Sequence, residues 1–229
     1  MELLQLRETE IFETLKKIRN LDFVIVGGYA VNAYTLPRFS VDCDIVIKGQ
    51  EEREKIKEIL ENNGYFKTKQ FSNIEKIDEN KFERYQKVIA NNFKVSVDVM
   101  IGEVLDRNTQ AKFSAEWVFQ NSQIRILRGK TVSDELKLRI VNSDALFVMK
   151  LSSCRLNDIR DLFLLAPLVK KKEWVKQEVA SRYDLHERIS KALKTINDPH
   201  FKNNLQGVFG FVDDKLFEHH KKIVQEFEK

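Results

Sequence analysis

The stretch that decides the fold is Val24 to Ile47, which reads VIVGGYAVNAYTLPRFSVDCDIVI. An apolar strand leads into a Gly-Gly turn and a short helical segment, and a second apolar strand then carries Asp42 and Asp44. Side chains alternate between the two faces of a strand, so residues two apart project from the same side. The sequence therefore predicts that both carboxylates leave one face together. The opposite face is predicted to enter the core, and its residues are Val41, Cys43 and Ile45.

Two neighbouring carboxylates in an otherwise apolar strand repel each other. At ~4 Å and an effective dielectric constant of ~20, the repulsion is on the order of 4 kcal/mol. A divalent metal ion between the carboxylates removes this cost, and a glycine turn beside them suits phosphate because its backbone can approach a ligand closely. Gly27-Gly28 followed by Asp-x-Asp therefore indicates phosphate chemistry. By itself, the Gly-Gly pair also fits an ordinary tight turn between a strand and a helix.

The composition sets the class of protein. The 229 residues are 42% hydrophobic and 32% charged, which suits one large domain or two small ones with a substantial core. We expect a cytoplasmic protein with no membrane partner, because every apolar run is too short to span a bilayer and the beginning MELLQLRETEIFETLKK does not resemble a signal peptide. Cys43 and Cys154 are predicted in different elements, so no disulfide is expected. The net charge of +4 permits a polyanionic partner without requiring one.

The hydrophobic periodicity divides the chain into two parts. Residues 1–135 are predicted to form an α/β domain, a mixed sheet with helices, and residues 136–229 a helical C-terminal domain. In the first part we predict helices at 2–18, 29–34 and 51–63. The predicted strands are 21–26, 41–47, 65–71, 83–90, 94–100 and 124–127. A strand at 136–141 is followed by helices at 144–153, 158–169, 173–183, 186–196 and 213–227.

A third carboxylate lies in the strand KVSVDVM, residues 94–100, where Asp98 stands between two valines. If this strand pairs beside DCDIVI, Asp98 faces the same cleft as Asp42 and Asp44. In two-metal sites, ions about 3.5–4 Å apart activate the attacking oxygen and stabilise the leaving group. The sequence therefore predicts Asp42, Asp44 and Asp98 as catalytic residues and ligands of two Mg²⁺ ions, with Asp98 also placed to act as a general base.

This order of motifs resembles the polymerase-β-like nucleotidyltransferase superfamily, in which a Gly-Gly or Gly-Ser turn precedes Asp-x-Asp and a later strand supplies one more Asp. More narrowly, VGGYAVNAY followed by RFSVDCDI is similar to AbiEii-type and related minimal nucleotidyltransferase toxins. A second block, SDALFVMKLSSCRLNDIRDLFLLA, matches their helix with a Lys followed by an Arg and an Asp-rich segment. The resemblance spans roughly residues 20–170. It departs from the family where members often place a Lys before the first Asp of this block, since that residue is Asn157 here.

The resemblance implies a nucleotidyltransferase fold and an enzyme that moves NMP from an NTP to a hydroxyl acceptor. Gly27, Gly28 and Ser40 would cradle the phosphates, and Arg38 and Lys150 would contact the triphosphate. In toxin-like relatives the acceptor is tRNA or a protein side chain, so RNA, protein and a cognate antitoxin are candidate partners. A small-molecule acceptor also stays open.

Other interpretations remain open for the charged residues and for the whole protein. Arg38 equally fits a salt bridge to one of the two strand carboxylates, and Lys150 fits a lysine whose apolar stem lies along an apolar helix. A structural network of ion pairs is equally compatible with Arg155, Asp158, Arg160 and Asp161. The alternative function is a catalytically silent binding module or partner subunit with the same fold, against which the presence of all three carboxylates argues.

Overall fold

The computed structural model describes residues 2–68, 80–210 and 212–228, and the chain divides into two compact units. Unit 1 consists of Met1–Ala33, Phe39–Val104 and Phe113–Val141. Unit 2 consists of Tyr34–Arg38, Leu105–Lys112 and Asn142–Lys229. The last passage between the units therefore falls after Val141, rather than at the predicted boundary of 135/136, because the strand that begins at Glu135 pairs within the sheet of unit 1.

A mixed seven-stranded sheet forms the centre of unit 1 within the described residues. The strands of the chain are β1 Val24–Val26, β2 Asp42–Ile47, β3 Phe66–Lys67, β4 Phe82–Ala90, β5 Phe93–Ile101, β6 Glu103–Leu105, β7 Lys112–Ser114, β8 Ser122–Arg128 and β9 Glu135–Val141. The order across the large sheet is β3-β4-β5-β2-β1-β9-β8, and β6 pairs with β7 in a separate small sheet. In the large sheet, the pairs β2–β5 and β1–β9 are parallel, and the pairs β1–β2, β3–β4, β4–β5 and β8–β9 are antiparallel. The predicted fold class, α/β with a mixed sheet, is confirmed.

Helices accompany the sheet in unit 1 and make up most of unit 2. Unit 1 contains α1 Glu2–Ile18, α2 Gly27–Asn32, α3 Gln50–Asn62 and α4 Ala115–Gln120. Unit 2 contains α5 Ser143–Ser153, α6 Leu156–Leu165, α7 Lys172–Ala180, α8 Leu185–Ile196, α9 Pro199–Phe209 and α10 Asp214–Gln225. No helix in the described parts of the chain has both the length and the apolar character needed to cross a membrane.

The central strands form because their apolar residues alternate or run continuously into the core. In β2, Cys43 and Ile45 are completely buried, as predicted, whereas Val41 precedes the strand and is 62% exposed. That part of the core prediction was wrong because pairing begins only at Asp42. The β4–β5 hairpin turns at Asn91-Asn92, which both have positive φ, a conformation that Asn tolerates better than most residues.

Glu8 fastens α1 to the loop between β8 and β9. Its carboxylate is 1% exposed and accepts hydrogen bonds from the backbone N–H groups of Lys130, Thr131 and Val132 and from the Thr131 hydroxyl. These four hydrogen bonds compensate the free-energy cost of burying the charge of Glu8. A buried carboxylate without such partners would be strongly destabilising. The loop is thereby held against the first helix.

Unit 2 has an aromatic core. Phe163 of α6 packs against Phe201 of α9 and Phe217 of α10, and Phe147 of α5 stacks on Phe227. The sequence did not predict α9, whose proline and internal glycine read as loop signals. Pro199 instead occupies the first helical position, where a missing N–H costs nothing, after the Asp198 cap. The predicted strand 65–71 is observed at Phe66–Lys67, and its residues from 69 onward lie outside the described residues.

Candidate active site in unit 1

Three predicted carboxylates share one face of the sheet. Parallel pairing of β2 with β5 sets Asp44 directly opposite Asp98 and Asp42 directly opposite Ser96. Residues opposite each other in neighbouring strands project from the same face. The side chains of Asp42 and Asp44 are partly exposed, and that of Asp98 is nearly buried. The condition that the sequence analysis set for Asp98 to face the same way, the pairing of β5 beside β2, is met.

Gly27 gives the carboxylate of Asp44 its space. Gly27 begins α2 with φ +65°, in the left-handed region that glycine tolerates best. A Cβ atom at this position would lie 2.0 Å from Oδ2 of Asp44, a distance that no real contact permits. The glycine of the Gly-Gly turn is therefore required by the neighbouring carboxylate as well as by the turn itself.

Arg84 of β4 binds the third carboxylate. It lies opposite Asp98 in the antiparallel β4–β5 pair and donates to both oxygens, with Nε–Oδ1 at 2.7 Å and Nη2–Oδ2 at 2.5 Å. Its Nη2 atom is also 3.5 Å from Oδ2 of Asp42. Hydrogen bonding to Asp98 raises the pKa of the Arg84 guanidinium, which stays charged. One cation supplied by the chain thus already lies among the three carboxylates.

Two serines near the site differ in what they contact. Ser96 donates its hydroxyl to Oδ1 of Asp42 at 2.5 Å and holds that carboxylate from β5. Ser40 donates to the backbone oxygen of Asp42 at 3.2 Å rather than to a carboxylate. Burial raises the pKa of the Cys43 thiol well above its usual value, so this residue stays neutral in the core behind the site.

The hydrogen-bond partners of the three carboxylates decide which of them can bind a metal ion. Asp42 and Asp44 supply hard carboxylate oxygens on one face of a strand, a donor set suited to one Mg²⁺ ion. Asp98 does not offer the same, because both of its oxygens accept hydrogen bonds from Arg84. Across residues 2–68, 80–210 and 212–228, no group of three or more His, Cys, Asp or Glu side chains is arranged to hold a metal ion. One ion fits this arrangement, and a second does not while Arg84 is in place.

Arg38 and Lys150, the predicted triphosphate contacts, belong to unit 2 and meet there at Asp161. Arg38 donates Nε and Nη2 to the two oxygens of Asp161 at 2.9 and 2.7 Å. Lys150 Nζ lies 2.9 Å from Asp161 and 2.8 Å from Asp158. Burial alone would raise the pKa of the fully buried Asp161, but Lys150 and Arg38 outweigh it and hold that pKa below its ordinary value. The sequence offered Arg38 a salt bridge to one of the two strand carboxylates, whereas the ion pair observed is with Asp161 of unit 2.

The other charged residues of the second motif have separate partners. Arg155 binds Asp106 through Nη2 at 2.5 Å, and its backbone N–H donates to Asp158 at the start of α6. Burial and the nearby Arg38 lower the pKa of Arg160, whose buried Nε has no hydrogen-bond partner. An ion-pair network, one of the two interpretations of this motif, is therefore present within unit 2.

The sequence did not single out Arg84 or Ser96. Ser96 could have been found, because it lies two residues before Asp98 in KVSVDVM and shares its face. Arg84 lies on the alternating strand FERYQKVIA, but its contact with Asp98 depends on the register of the β4–β5 hairpin, which the sequence does not state.

Two solved structures share this fold. JHP933 from Helicobacter pylori matches with a TM-score of 0.52 and 15% sequence identity, over 100% of this chain and 93% of that one. A structure described as a candidate nucleotidyltransferase, also from H. pylori, matches with a TM-score of 0.54 and 15% identity, over 100% of this chain and 96% of that one. At this identity, the likeness establishes the fold. No family model and no curated protein matches the chain.

Proposed function

We propose that the protein is a Mg²⁺-dependent nucleotidyltransferase, which moves NMP from an NTP to a hydroxyl acceptor. The observation that carries the proposal is the shared sheet face of Asp42, Asp44 and Asp98, beside the glycine that makes room for Asp44. Support also comes from the fold shared with a candidate nucleotidyltransferase.

In the proposed reaction, the acceptor hydroxyl gives its proton to solvent water and its oxygen forms a bond to the α-phosphorus, while the bond between the α-phosphorus and the bridging oxygen of pyrophosphate breaks and pyrophosphate leaves. Asp42 and Asp44 would hold the divalent ion, and Asp98 would complete the site. When bound, the ion would neutralise triphosphate charge and stabilise the leaving pyrophosphate. Gly27, Gly28 and Ser40 remain the proposed phosphate contacts.

Arg38 and Lys150 remain proposed triphosphate contacts. Both direct their charge at Asp161 in unit 2, so binding a triphosphate there would compete with this carboxylate. A Lys150→Ala variant should then raise the Michaelis constant for NTP. An unchanged constant would assign Lys150 to the ion-pair network alone.

For the acceptor, we favour RNA over protein because of the charge on β8 and β9. The register from β2 through β1 to β9 places Lys137 and Arg139 on the same sheet face as Asp44. Arg128 and the half-exposed Ile124 of β8 share that face. A shallow groove of about 290 Å³ lies there, lined by Ala33, Ile124, Arg125, Ile126, Arg128 and Lys137. Cations beside an exposed apolar side chain suit the phosphates and bases of a single strand.

By the same resemblance, we propose a toxin of an AbiE-like toxin–antitoxin pair that acts in the cytoplasm and is neutralised by a cognate antitoxin. The test is to incubate the protein with total cellular RNA, Mg²⁺ and each labelled NTP in turn, with Asp42→Ala beside it. Label that enters a discrete RNA band with the wild type alone would support the proposal. Label on the protein itself would replace the RNA acceptor by a protein side chain. No label with any NTP would refute transfer to RNA and to the protein itself, and would leave a small-molecule acceptor or a silent binding module.

A second candidate, a catalytically silent nucleotide-binding module, is favoured by the ion pair that Arg84 makes with Asp98. Thermal melting separates this candidate from a protein that does not bind nucleotide, since a ligand at 100 times its dissociation constant adds ~2.7 kcal/mol. A melting shift with Mg²⁺ and NTP in the absence of label transfer would identify the silent module.

A further inference from the structure

Arg84 and Asp98 form a bidentate ion pair in the middle of the proposed site. The guanidinium is planar, always charged and matched in geometry to a carboxylate, which a lysine ammonium is not. The Asp98 side chain is only 6% exposed, so its charge depends on a partner. Arg84 therefore neutralises Asp98 in the way that a metal ion would.

The charges of the four described side chains at the site favour a single metal ion. Asp42, Asp44 and Asp98 carry three negative charges, and Arg84 neutralises one of them. A single divalent ion neutralises the remaining two. A second divalent ion would have to displace Arg84 from both oxygens of Asp98, and so break a bidentate ion pair on a carboxylate that is only 6% exposed.

We propose that Arg84 is a built-in cation at Asp98, so that the site binds one divalent ion, on Asp42 and Asp44, instead of two. The inference rests on the proposed function, because it concerns the metal site of that reaction. Arg84 is a positioning residue in this scheme: it contacts Asp98 and, at longer range, Asp42. Since both oxygens of Asp98 are engaged, the pair also removes Asp98 from the role of general base that the sequence suggests.

Unit 1 offers a matched control in the same sheet. Arg53 of α3 donates Nε and Nη2 to Oε1 of Glu83 at 3.0 and 2.6 Å, and Glu83 is as buried as Asp98. Glu83 lies opposite Val99 in the β4–β5 pair, so its carboxylate points to the sheet face opposite to that of Asp98. Arg53→Met therefore removes an arginine–carboxylate ion pair from the same sheet without touching the three carboxylates.

The experiment counts bound Mn²⁺ by electron paramagnetic resonance of the free ion, up to millimolar Mn²⁺, with no nucleotide present. We expect one ion on the wild type and none on Asp44→Asn. Arg84→Met removes the bidentate ion pair from Asp98 and should bind two ions, whereas Arg84→Met/Asp98→Asn should return to one. Arg53→Met should bind one. Circular dichroism and gel filtration establish that each variant is folded, and the count on the wild type alone tests the inference if Arg84→Met does not fold.

The outcomes separate the inference from the proposed function. Two Mn²⁺ ions on the wild type would overturn the role of Arg84 and leave a two-metal nucleotidyltransferase intact. A count that stays at one in folded Arg84→Met would also overturn it, because Asp98 would then not be a ligand that Arg84 withholds. No Mn²⁺ on the wild type would refute the metal site on Asp42 and Asp44, and with it the proposed metal-dependent reaction.

Discussion

Replacing Asp161 by Asn should strongly destabilise unit 2. The carboxylate has no exposed surface and receives two hydrogen bonds from Arg38 and an ion pair from Lys150. The amide has the same shape but no charge, so two buried cations lose the partner that compensates them. Lys150 keeps Asp158, while Arg38 exchanges two charged acceptor oxygens of Asp161 for the single neutral oxygen of the asparagine.

The magnitude follows from these contacts. Removing one partner of a buried pair typically costs about 3–5 kcal/mol. The asparagine oxygen still accepts one hydrogen bond, and a neutral bond retains on the order of 1 kcal/mol of that loss. We therefore expect Asp161→Asn to lower the free energy of unfolding by about 3 kcal/mol.

The assay is urea unfolding followed by tryptophan fluorescence in a Trp117→Phe background, where Trp174 of α7 reports on unit 2. Asp158→Asn is the matched control. Asp158 has one cationic side-chain partner in Lys150 and is slightly exposed, so its loss should cost about 1 kcal/mol. A loss of less than ~0.5 kcal/mol for Asp161→Asn, or a smaller loss than for Asp158→Asn, would refute the reasoning.

The pH dependence gives a second measurement of the same pair. The pKa of Asp161 is lowered in the folded protein, so the stabilisation is present above the unfolded value near 3.8 and is lost as pH falls below it. The difference in stability between wild type and Asp161→Asn should therefore be constant near neutral pH and shrink below about pH 4. A difference that grows as pH falls would contradict the sign.

Three further predictions concern unit 1. Gly27→Ala should abolish nucleotidyl transfer and cost at least ~1 kcal/mol, because positive φ strains alanine and its Cβ would displace the Asp44 carboxylate, whereas Gly49→Ala, with open space around it, should leave activity unchanged. Burial would raise the pKa of Glu83, but its hydrogen bonds outweigh burial and lower that pKa to about 2, so Glu83 should stabilise the fold above about pH 4.5 and lose this effect toward pH 2. In Glu83→Gln, the free energy of unfolding measured at several pH values should lack this loss between about pH 4.5 and about pH 2. Glu8→Gln should cost about 1–3 kcal/mol and speed hydrogen exchange at the three loop amides it accepts from, and unchanged exchange there would show that the carboxylate does not hold the loop.

Local sequence patterns predicted much of the fold of unit 1. The alternation in DCDIVI and KVSVDVM predicted two strands with their carboxylates on one face, and the pairing of β2 with β5 confirmed that Asp42, Asp44 and Asp98 face the same way. Such predictions succeed because side-chain direction in a strand repeats every two residues, whatever the strand's neighbours. The prediction that Val41 is buried was wrong because the alternation does not indicate at which residue the strand pairing begins.

Long-range partners could not be predicted in this way. Arg38 and Asp161 are 123 residues apart, and their contact arises only when Tyr34–Arg38 joins the helices of unit 2. The sequence placed both in motifs of interest but offered the acids of the strand as partners for Arg38. Opposite charges attract without regard to sequence distance, so only the folded chain selects the pair.

The sequence by itself determined that Asp42 and Asp44 leave one face of a strand next to a glycine turn, and that Asp98 lies within another strand, because these features depend on the period of a strand and on the freedom of glycine. The pairing of β2 with β5 then brought Asp98 to the same face. The tertiary structure decided which cationic side chains form ion pairs with those carboxylates. Arg84 reaches Asp98 only through the register of the β4–β5 hairpin, and a shift of one residue would turn its side chain to the other face of the sheet.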